Sequence, residues 1–208
     1  MKILKQLLII VVFGFGNLLG GQSLKLFLGV DTRGTDSIYD SKYYKKGVGI
    51  EDERRYGYEG FIGSKFGVEY FFNQKNGLRA FVGLGYANIK LLNRSNRFDS
   101  YSGVGTRVGL HYLLNYYSDD RFDFGFFGGV DYFNNYYKRK DENIVANQVL
   151  GILGLNMTID SKHRLEIGTG IPFFSIGRYN SLKYKNIPIT RQFNNLYYGI
   201  SYIFLFNL

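Results

Sequence analysis

Val104-Gly105-Thr106-Arg107-Val108-Gly109-Leu110-His111-Tyr112 is the stretch that decides the fold. Val104, Thr106, Val108, Leu110 and Tyr112 form one series, and Gly105, Arg107, Gly109 and His111 the other. Successive side chains of a β-strand point to opposite faces, so a period of two predicts a strand with one apolar face and one face of charge and glycine. Working outward, the pattern recurs until eight strands are reached, at 24–32, 56–72, 78–91, 101–114, 121–137, 145–159, 163–174 and 192–206. The sixth is blurred at Leu150 and Ile152. The even connections, 73–77, 115–120 and 160–162, read as short turns. The odd ones include two long stretches, 33–55 and 175–191.

The chain of 208 residues holds 27 Gly, 19 Tyr, 19 Phe and no Cys or Trp, with a formal net charge of +9. Lack of Cys excludes a disulfide scaffold, a thiolate nucleophile, a Cys-ligated metal and an acylated N-terminal Cys. High aromatic and glycine content argues against disorder. Residues 1–23 read as a signal peptide: Lys2 and Lys5 precede the apolar run 7–15, and Gly21 and Ser23 supply small residues at the cleavage site. The mature domain is expected over 24–208. It contains no apolar run long enough to cross a bilayer as a helix, so a membrane location requires a closed barrel.

Alternation alone does not say which face is inside. A soluble lipocalin-like barrel turns its apolar face inward, whereas a membrane barrel turns it to lipid. Glycine crowds the polar face, which suits the narrow interior of a small barrel. Aromatics collect at the ends of the apolar face: Tyr70, Phe72, Tyr112, Phe122, Phe204 and Phe206 near the short turns, and Tyr86, Tyr132 and Tyr198 nearer the loops. Two such girdles are expected at the two membrane interfaces. The fold class is therefore all-β, an eight-stranded antiparallel up-and-down transmembrane barrel, with the short turns periplasmic.

Tyr197-Tyr198-Gly199-Ile200-Ser201-Tyr202-Ile203-Phe204 resembles the C-terminal β-signal of Gram-negative outer-membrane barrels. The resemblance implies that Tyr197, Gly199, Tyr202 and Phe204 are read by the outer-membrane assembly machinery. With its eight-strand plan, the whole mature chain resembles the small outer-membrane barrels of the OmpA-transmembrane-domain and OmpX type. That implies a monomer in the bacterial outer membrane, without a cofactor.

On this plan Lys25, Lys65, Arg79 and Arg107 face the lumen with Asp31, Glu59, Glu69, Asp123, Asp131 and Glu166, joined by His111, Gln148 and Asn156. Mixed signs in a dry, narrow space predict a paired network that fills the barrel. The alternative is a small channel, which an apolar or unpaired track through Phe27, Phe61, Phe81, Phe127 and Leu150 would indicate. A third reading, a lipid A-modifying enzyme, requires a His with a Ser and an acidic orienter near one interface. Only His111 and His163 are available, and no His-x-Ser element follows His111. Asp119-Asp120 sits in a turn, and Gly103-Val104-Gly105 is not a dinucleotide fingerprint because no helix follows. Arg94, Arg97, Arg178, Lys183, Lys185 and Arg191 make two acid-free outer connections suited to lipopolysaccharide phosphate. The first loop mixes charges of both signs with Tyr39, Tyr43 and Tyr44, a composition suited to contact with a host or neighbouring molecule. Export and interspersed acids argue against nucleic acid as a partner. The expected role is non-enzymatic: a surface or envelope-integrity protein, or one that binds through its loops.

Overall fold

A computed structural model of the protein describes residues 23–45, 49–93, 95–119, 121–180, 187–191 and 196–207. Residues 1–22 of the expected signal peptide, Arg94, Lys183 and Lys185 lie outside the described residues. Among the described residues nine strands follow in order: β1 (Ser23–Lys45), β2 (Gly49–Phe71), β3 (Asn76–Leu92), β4 (Phe98–Ser118), β5 (Phe122–Arg139), β6 (Glu142–Ile159), β7 (His163–Asn180), β8 (Ile187–Arg191) and β9 (Tyr197–Asn207). Each of β1 to β7 pairs antiparallel with the next. Both β8 and β9 pair with β7 on one side and β1 on the other, so together they occupy one place in the ring. The result is an eight-staved closed up-and-down barrel.

The register gives the barrel its proportions. Starting at Val30, the pairs run through Ser64, Leu84, Thr106, Asn134, Asn147, Ile176 and Thr190, and return to β1 at Asp40. That displacement along β1 tilts the strands by about 40° and leaves a radius of about 8 Å, room for side chains and little else. The seven residues from Val30 to Ile176 lie on the outer face, so the wall keeps one alternation from β1 to β7.

Which face is inside is settled by burial. Leu84, Leu110 and Ile167 are 60%, 59% and 58% exposed, whereas Glu69, Arg79 and Asp131 are 0% exposed. Burial favours apolar groups in water, so a water-soluble barrel with this inversion would be unstable. In a bilayer the same arrangement satisfies both faces. On β5 the outward apolar run from Phe122 to Tyr132 is about 25 Å tall at this tilt, matching the hydrocarbon layer. The girdle residues stand on the outer wall as expected, with Phe72 6.3 Å from Tyr112 and Phe204 4.8 Å from Phe206 between ring centroids.

Three expectations need correction. Residues 33–55 are not a long loop, because β1 and β2 continue as a hairpin beyond the other strands as far as Lys45 and Gly49. The register sets Asp40 opposite Arg54 and Lys42 opposite Asp52, and opposite charges across a hairpin favour pairing. Likewise 175–191 is largely strand: Arg178 lies in β7 and Arg191 in β8, with Arg178 opposite Pro188. The β7 strand also runs past its expected end at Phe174. A bulge there pairs Val149 with Phe174 and Leu150 with Pro172, leaving Phe173 over, so Phe173 and Phe174 both face outward. Proline is tolerated at such a break in the ladder. Lastly, the blur in the sixth strand is not irregularity. Leu150 and Ile152 are inward residues, 0% and 3% exposed, packed with Phe127 and Phe133.

The short turns use local chemistry. Asp160 and Ser161 both have positive φ, and Lys162 N–H donates to Ile159 C=O at 3.1 Å, a two-residue primed turn that suits strand twist. In the β4–β5 turn the Asp119 carboxylate accepts from the N–H groups of Arg121 and Phe122 at 2.8 Å each, and from the Tyr117 hydroxyl at 3.0 Å. Those bonds hold the Asp119 carboxyl below its ordinary range. A lowered carboxyl pKa gives stability that is present above the ordinary aspartate range and lost as the pH falls through the lowered value. Equilibrium unfolding of refolded protein at stepped acid pH is expected to show a smaller pH dependence in Asp119→Asn than in the parent.

Candidate functional site: the barrel lumen

Alternation delivers inward side chains from every strand to one axis, and the lumen is built from them. In its middle, Arg107 pairs with Asp31 and, at 2.6 Å, with Asp131. Arg33 reaches the same two acids, at 3.4 Å from Asp31 and 3.2 Å from Asp131. Nearer the periplasm, Arg79 pairs with Glu166 and lies 3.6 Å from Glu69. Lys65 donates to Glu166 at 3.1 Å and to Ser201 at 3.0 Å. Arg164 closes this part, pairing with Glu69 at 2.5 Å and donating to Thr158 at 2.9 Å.

His111 joins the two halves. Its Nδ1 is 2.8 Å from Arg79 Nη2, and its Nε2 is 3.0 Å from Asp131 Oδ1. Guanidinium can only donate and a carboxylate in this network only accepts, so Nδ1 must accept and Nε2 must carry the proton. The contacts thus fix a neutral ring and its tautomer.

Toward the outside the charges give way to a neutral layer around Glu59. Asn135 Nδ2 donates to Glu59 Oε1 at 2.9 Å and the Tyr137 hydroxyl donates at 2.6 Å. The Tyr197 hydroxyl lies 3.2 Å from Glu59 Oε2 and 2.5 Å from Gln148 Oε1. Above this layer, Ile89, Tyr101, Tyr137 and Ile144 form an apolar cluster with Phe61 and Ala87.

Aromatic rings fill the gaps between cations. The Arg107 guanidinium lies 4.5 Å from the Phe81 ring centroid and 5.2 Å from that of Phe133; Arg79 lies 5.2 Å from Phe127. His111 stacks on Phe127 at 5.5 Å. Inward glycines make the holes for these rings: a Cβ on Gly109 would lie 2.3 Å from Phe81, and one on Gly154 would lie 2.4 Å from Phe127. A void of about 10 Å³ beside Arg33, Arg107, His111 and Glu166 has room for about one water. A wider recess of about 750 Å³, open to solvent, is lined by Thr35, Asp36, Tyr58, Glu59, Leu196 and Tyr198.

Of the expected lumen residues, Glu59, Lys65, Glu69, Arg79, Arg107, Asp131 and Glu166 come together in this network. Lys25 and Asp123 are half-buried toward the periplasmic end, with the Lys25 ammonium 6.0 Å from the Phe71 ring centroid. Asn156 is buried, but its amide has no partner among the described residues. Phe27, Phe61, Phe81, Phe127 and Leu150 are buried in the lumen but form no track: they fall into three clusters, with Phe81 and Phe127 set between Arg79, Arg107 and His111. Arg33 and Arg164 are network members that the sequence reading passed over. The signal was parity, since Arg33 is two residues beyond Asp31 and Arg164 two before Glu166. His163 lies on the outer wall, its Nδ1 2.6 Å from the Tyr202 hydroxyl. In the expected assembly signal, Tyr197 and Gly199 belong to the inner face and Tyr202 to the outer, while Phe204 stacks edge-on against His163. Of the basic outer residues, Arg97 and Arg178 are exposed.

An eight-staved antiparallel barrel with an apolar outer wall and a polar interior is a small outer-membrane β-barrel, and the protein resides in the bacterial outer membrane. Residues 63–206 match the Helicobacter outer membrane protein family, and the chain belongs to that family. Among solved structures, it is similar to the outer membrane protein OprG of Pseudomonas aeruginosa, with a TM-score of 0.56 and 10% identity over 91% of this chain and 99% of that one. The N-terminal β-barrel domain of Pseudomonas aeruginosa OprF aligns with a TM-score of 0.39 and 10% identity over 84% of this chain and 97% of that one. At 10% identity the likeness to OprG is one of fold. No curated protein matches the chain in sequence.

Proposed function

We propose that this protein is a closed, non-enzymatic outer-membrane barrel, exported by its leader, whose role is exercised by its outer surface and not by transport through its lumen. The observation that carries this reading is the lumen network. Arg33, Lys65, Arg79, Arg107 and Arg164 are interleaved with Asp31, Glu69, Asp131 and Glu166, and Phe81, Phe127 and Phe133 sit between the guanidinium groups. A permeating ion would have to separate buried pairs and displace rings at the same level, both costly in low dielectric. Catalysis finds no support at the histidines. Both His111 nitrogens are committed to charged neighbours, and His163 meets a tyrosine hydroxyl on the lipid-facing wall.

On this reading the outward-facing features are the working parts. The basic residues Arg97 and Arg178, together with Arg94, Lys183 and Lys185, are offered to lipopolysaccharide; Arg191 stands opposite Tyr39 in the β1–β8 register and is not among them. The β1–β2 hairpin, with its tyrosines and mixed charges, is the surface offered to a host or neighbouring molecule. Tyr197, Gly199, Tyr202 and Phe204 serve assembly, and the protein acts as a monomer. The test is planar-bilayer conductance of refolded, heat-modifiable protein. No discrete steps are expected from the parent, and reproducible steps from correctly folded protein would overturn the closed-barrel reading in favour of the small channel.

A further inference from the structure

Above the apolar band, alternate strands from β3 to β7 carry cations on the outer wall. Lys90 on β3, Lys138 on β5 and Arg178 on β7 are exposed on the outward face, and none has an acidic partner within 4 Å among the described residues. Acids of the neighbouring rim are turned the other way. Asp99 and Glu142 share the parity of the inward Tyr101 and Ile144, with Asp99 2.8 Å from Arg139 and Glu142 accepting from the Tyr101 hydroxyl at 2.6 Å. Two acids lie outside the belt: Asp36 on the outer face of β1, two strands from Lys90 in the row through Tyr58, and Asp141 in the β5–β6 turn.

The three cations are also level. Lys90 pairs with Ser100, Lys138 with Ser102 and Asn143, and Asn180 with Asn143. At a tilt of about 40°, each step to the next strand climbs about 3 Å and each residue along a strand about 2.5 Å. Going two strands on and two residues down therefore changes height by about 1 Å. That is the relation of Lys90 to Lys138 and of Lys138 to Arg178. The belt stands about 10 Å above Tyr86 on β3, at headgroup depth, with the cations about 10 Å apart on alternate strands.

Neutral hydrogen-bonding residues fill the strands between. Asn88 Nδ2 donates to Ser100 Oγ at 3.2 Å, Asn134 Nδ2 to Asn147 Oδ1 at 2.6 Å, and Asn180 Nδ2 to Asn143 Oδ1 at 3.1 Å. Cations with hydroxyl and amide groups between them match a phosphorylated sugar better than a simple anion. Because the belt faces sideways out of the wall, its neighbours are the headgroups of the surrounding leaflet and not a protein approaching from outside.

We infer that Lys90, Lys138 and Arg178 form a binding belt for a multiply phosphorylated glycolipid of the outer leaflet. This deepens the lipopolysaccharide contact proposed above but does not depend on whether the lumen is closed. The experiment uses full-length mature protein in nanodiscs, with native mass spectrometry counting bound bisphosphorylated lipid A, its enzymatically dephosphorylated form, and phosphatidylglycerol. The parent is expected to retain bisphosphorylated lipid A in preference to the other two. The variant K90S/K138S/R178S should weaken that binding by at least about tenfold while leaving the dephosphorylated form unaffected. A control, K75S/R121S/K162S, removes three cations of the periplasmic turns and should bind like the parent. Heat-modifiable migration and unchanged silence in planar bilayers verify that each variant is folded and keep this test separate from the closed-barrel one. Equal binding of all three lipids, or a belt variant that binds bisphosphorylated lipid A like the parent, would overturn the inference. An equal loss in the periplasmic control would reduce the effect to net charge and overturn it as well.

Discussion

Replacing Arg79 by methionine will lower the unfolding free energy by about 3–5 kcal/mol, read as a shift in the urea midpoint of protein folded in vesicles. Methionine keeps much of the side-chain volume, so the loss is of charge and hydrogen bonds. Arg79 is 0% exposed and touches Glu166, Glu69 and the Nδ1 of His111. Without it Glu166 retains Lys65 and Glu69 retains Arg164, but both carboxylates are left with less positive charge than burial demands. His111 Nδ1 loses the Arg79 donor, and the fixed tautomer loses its cause. The double variant Arg79→Met with Glu166→Gln should lose less than the sum of the two single losses, because each change removes the charge that the other leaves unpaired. Strict additivity would mean that the network is a set of independent contacts, and would sink the argument that a communal lattice seals the lumen.

Gly109→Val is expected to damage the wall and the charge network at once. A Cβ there would lie 2.3 Å from Asp131 Oδ1 and 2.3 Å from the Phe81 ring, distances that real Cβ atoms do not show. Phe81 is held in turn by the Arg107 guanidinium 4.5 Å from its ring centroid and by His111 at 5.2 Å, so the ring cannot withdraw without disturbing the ion pairs. Overpacking of a filled core costs about 1–3 kcal/mol or more, and here it acts on the wall and on the charge network together. The expected readout is loss of the heat-modifiable folded band on refolding, with Gly109→Ala/Phe81→Leu recovering it by giving the space back. If Gly109→Val folds with an unchanged urea midpoint, the claim that inward glycines exist to seat the rings is wrong.

Much of the site was legible from parity. Once Val108, Leu110 and Tyr112 are taken as outward, Arg107, Gly109 and His111 must be inward, and the same step on other strands brings Lys65, Glu69, Arg79, Asp131 and Glu166 to the axis. Parity works because a closed barrel with one apolar face tolerates no slip: a shift of one residue would expose every charge to lipid. Arg33 and Arg164 were equally legible but fell at assumed strand ends, where turn residues and strand residues have the same polar composition. The extended hairpin escaped for a related reason. A stretch of mixed charge carries no apolar alternation, so its pairing shows only in the register, which sets Asp40 opposite Arg54.

By itself, the sequence determined the period, the number of strands and which residues share a face, since these follow from local geometry and from the requirement that lipid meet apolar groups. Only the tertiary structure decided who meets whom. Arg79 and Glu166 are 87 positions apart and Lys65 and Ser201 are 136, and their meeting depends on the stagger with which the ring closes. The same stagger brings Lys90, Lys138 and Arg178 to one height on the outer wall. Closure is a property of the whole sheet: each strand contributes a small tilt and offset, and the sum over eight places is invisible in any one of them.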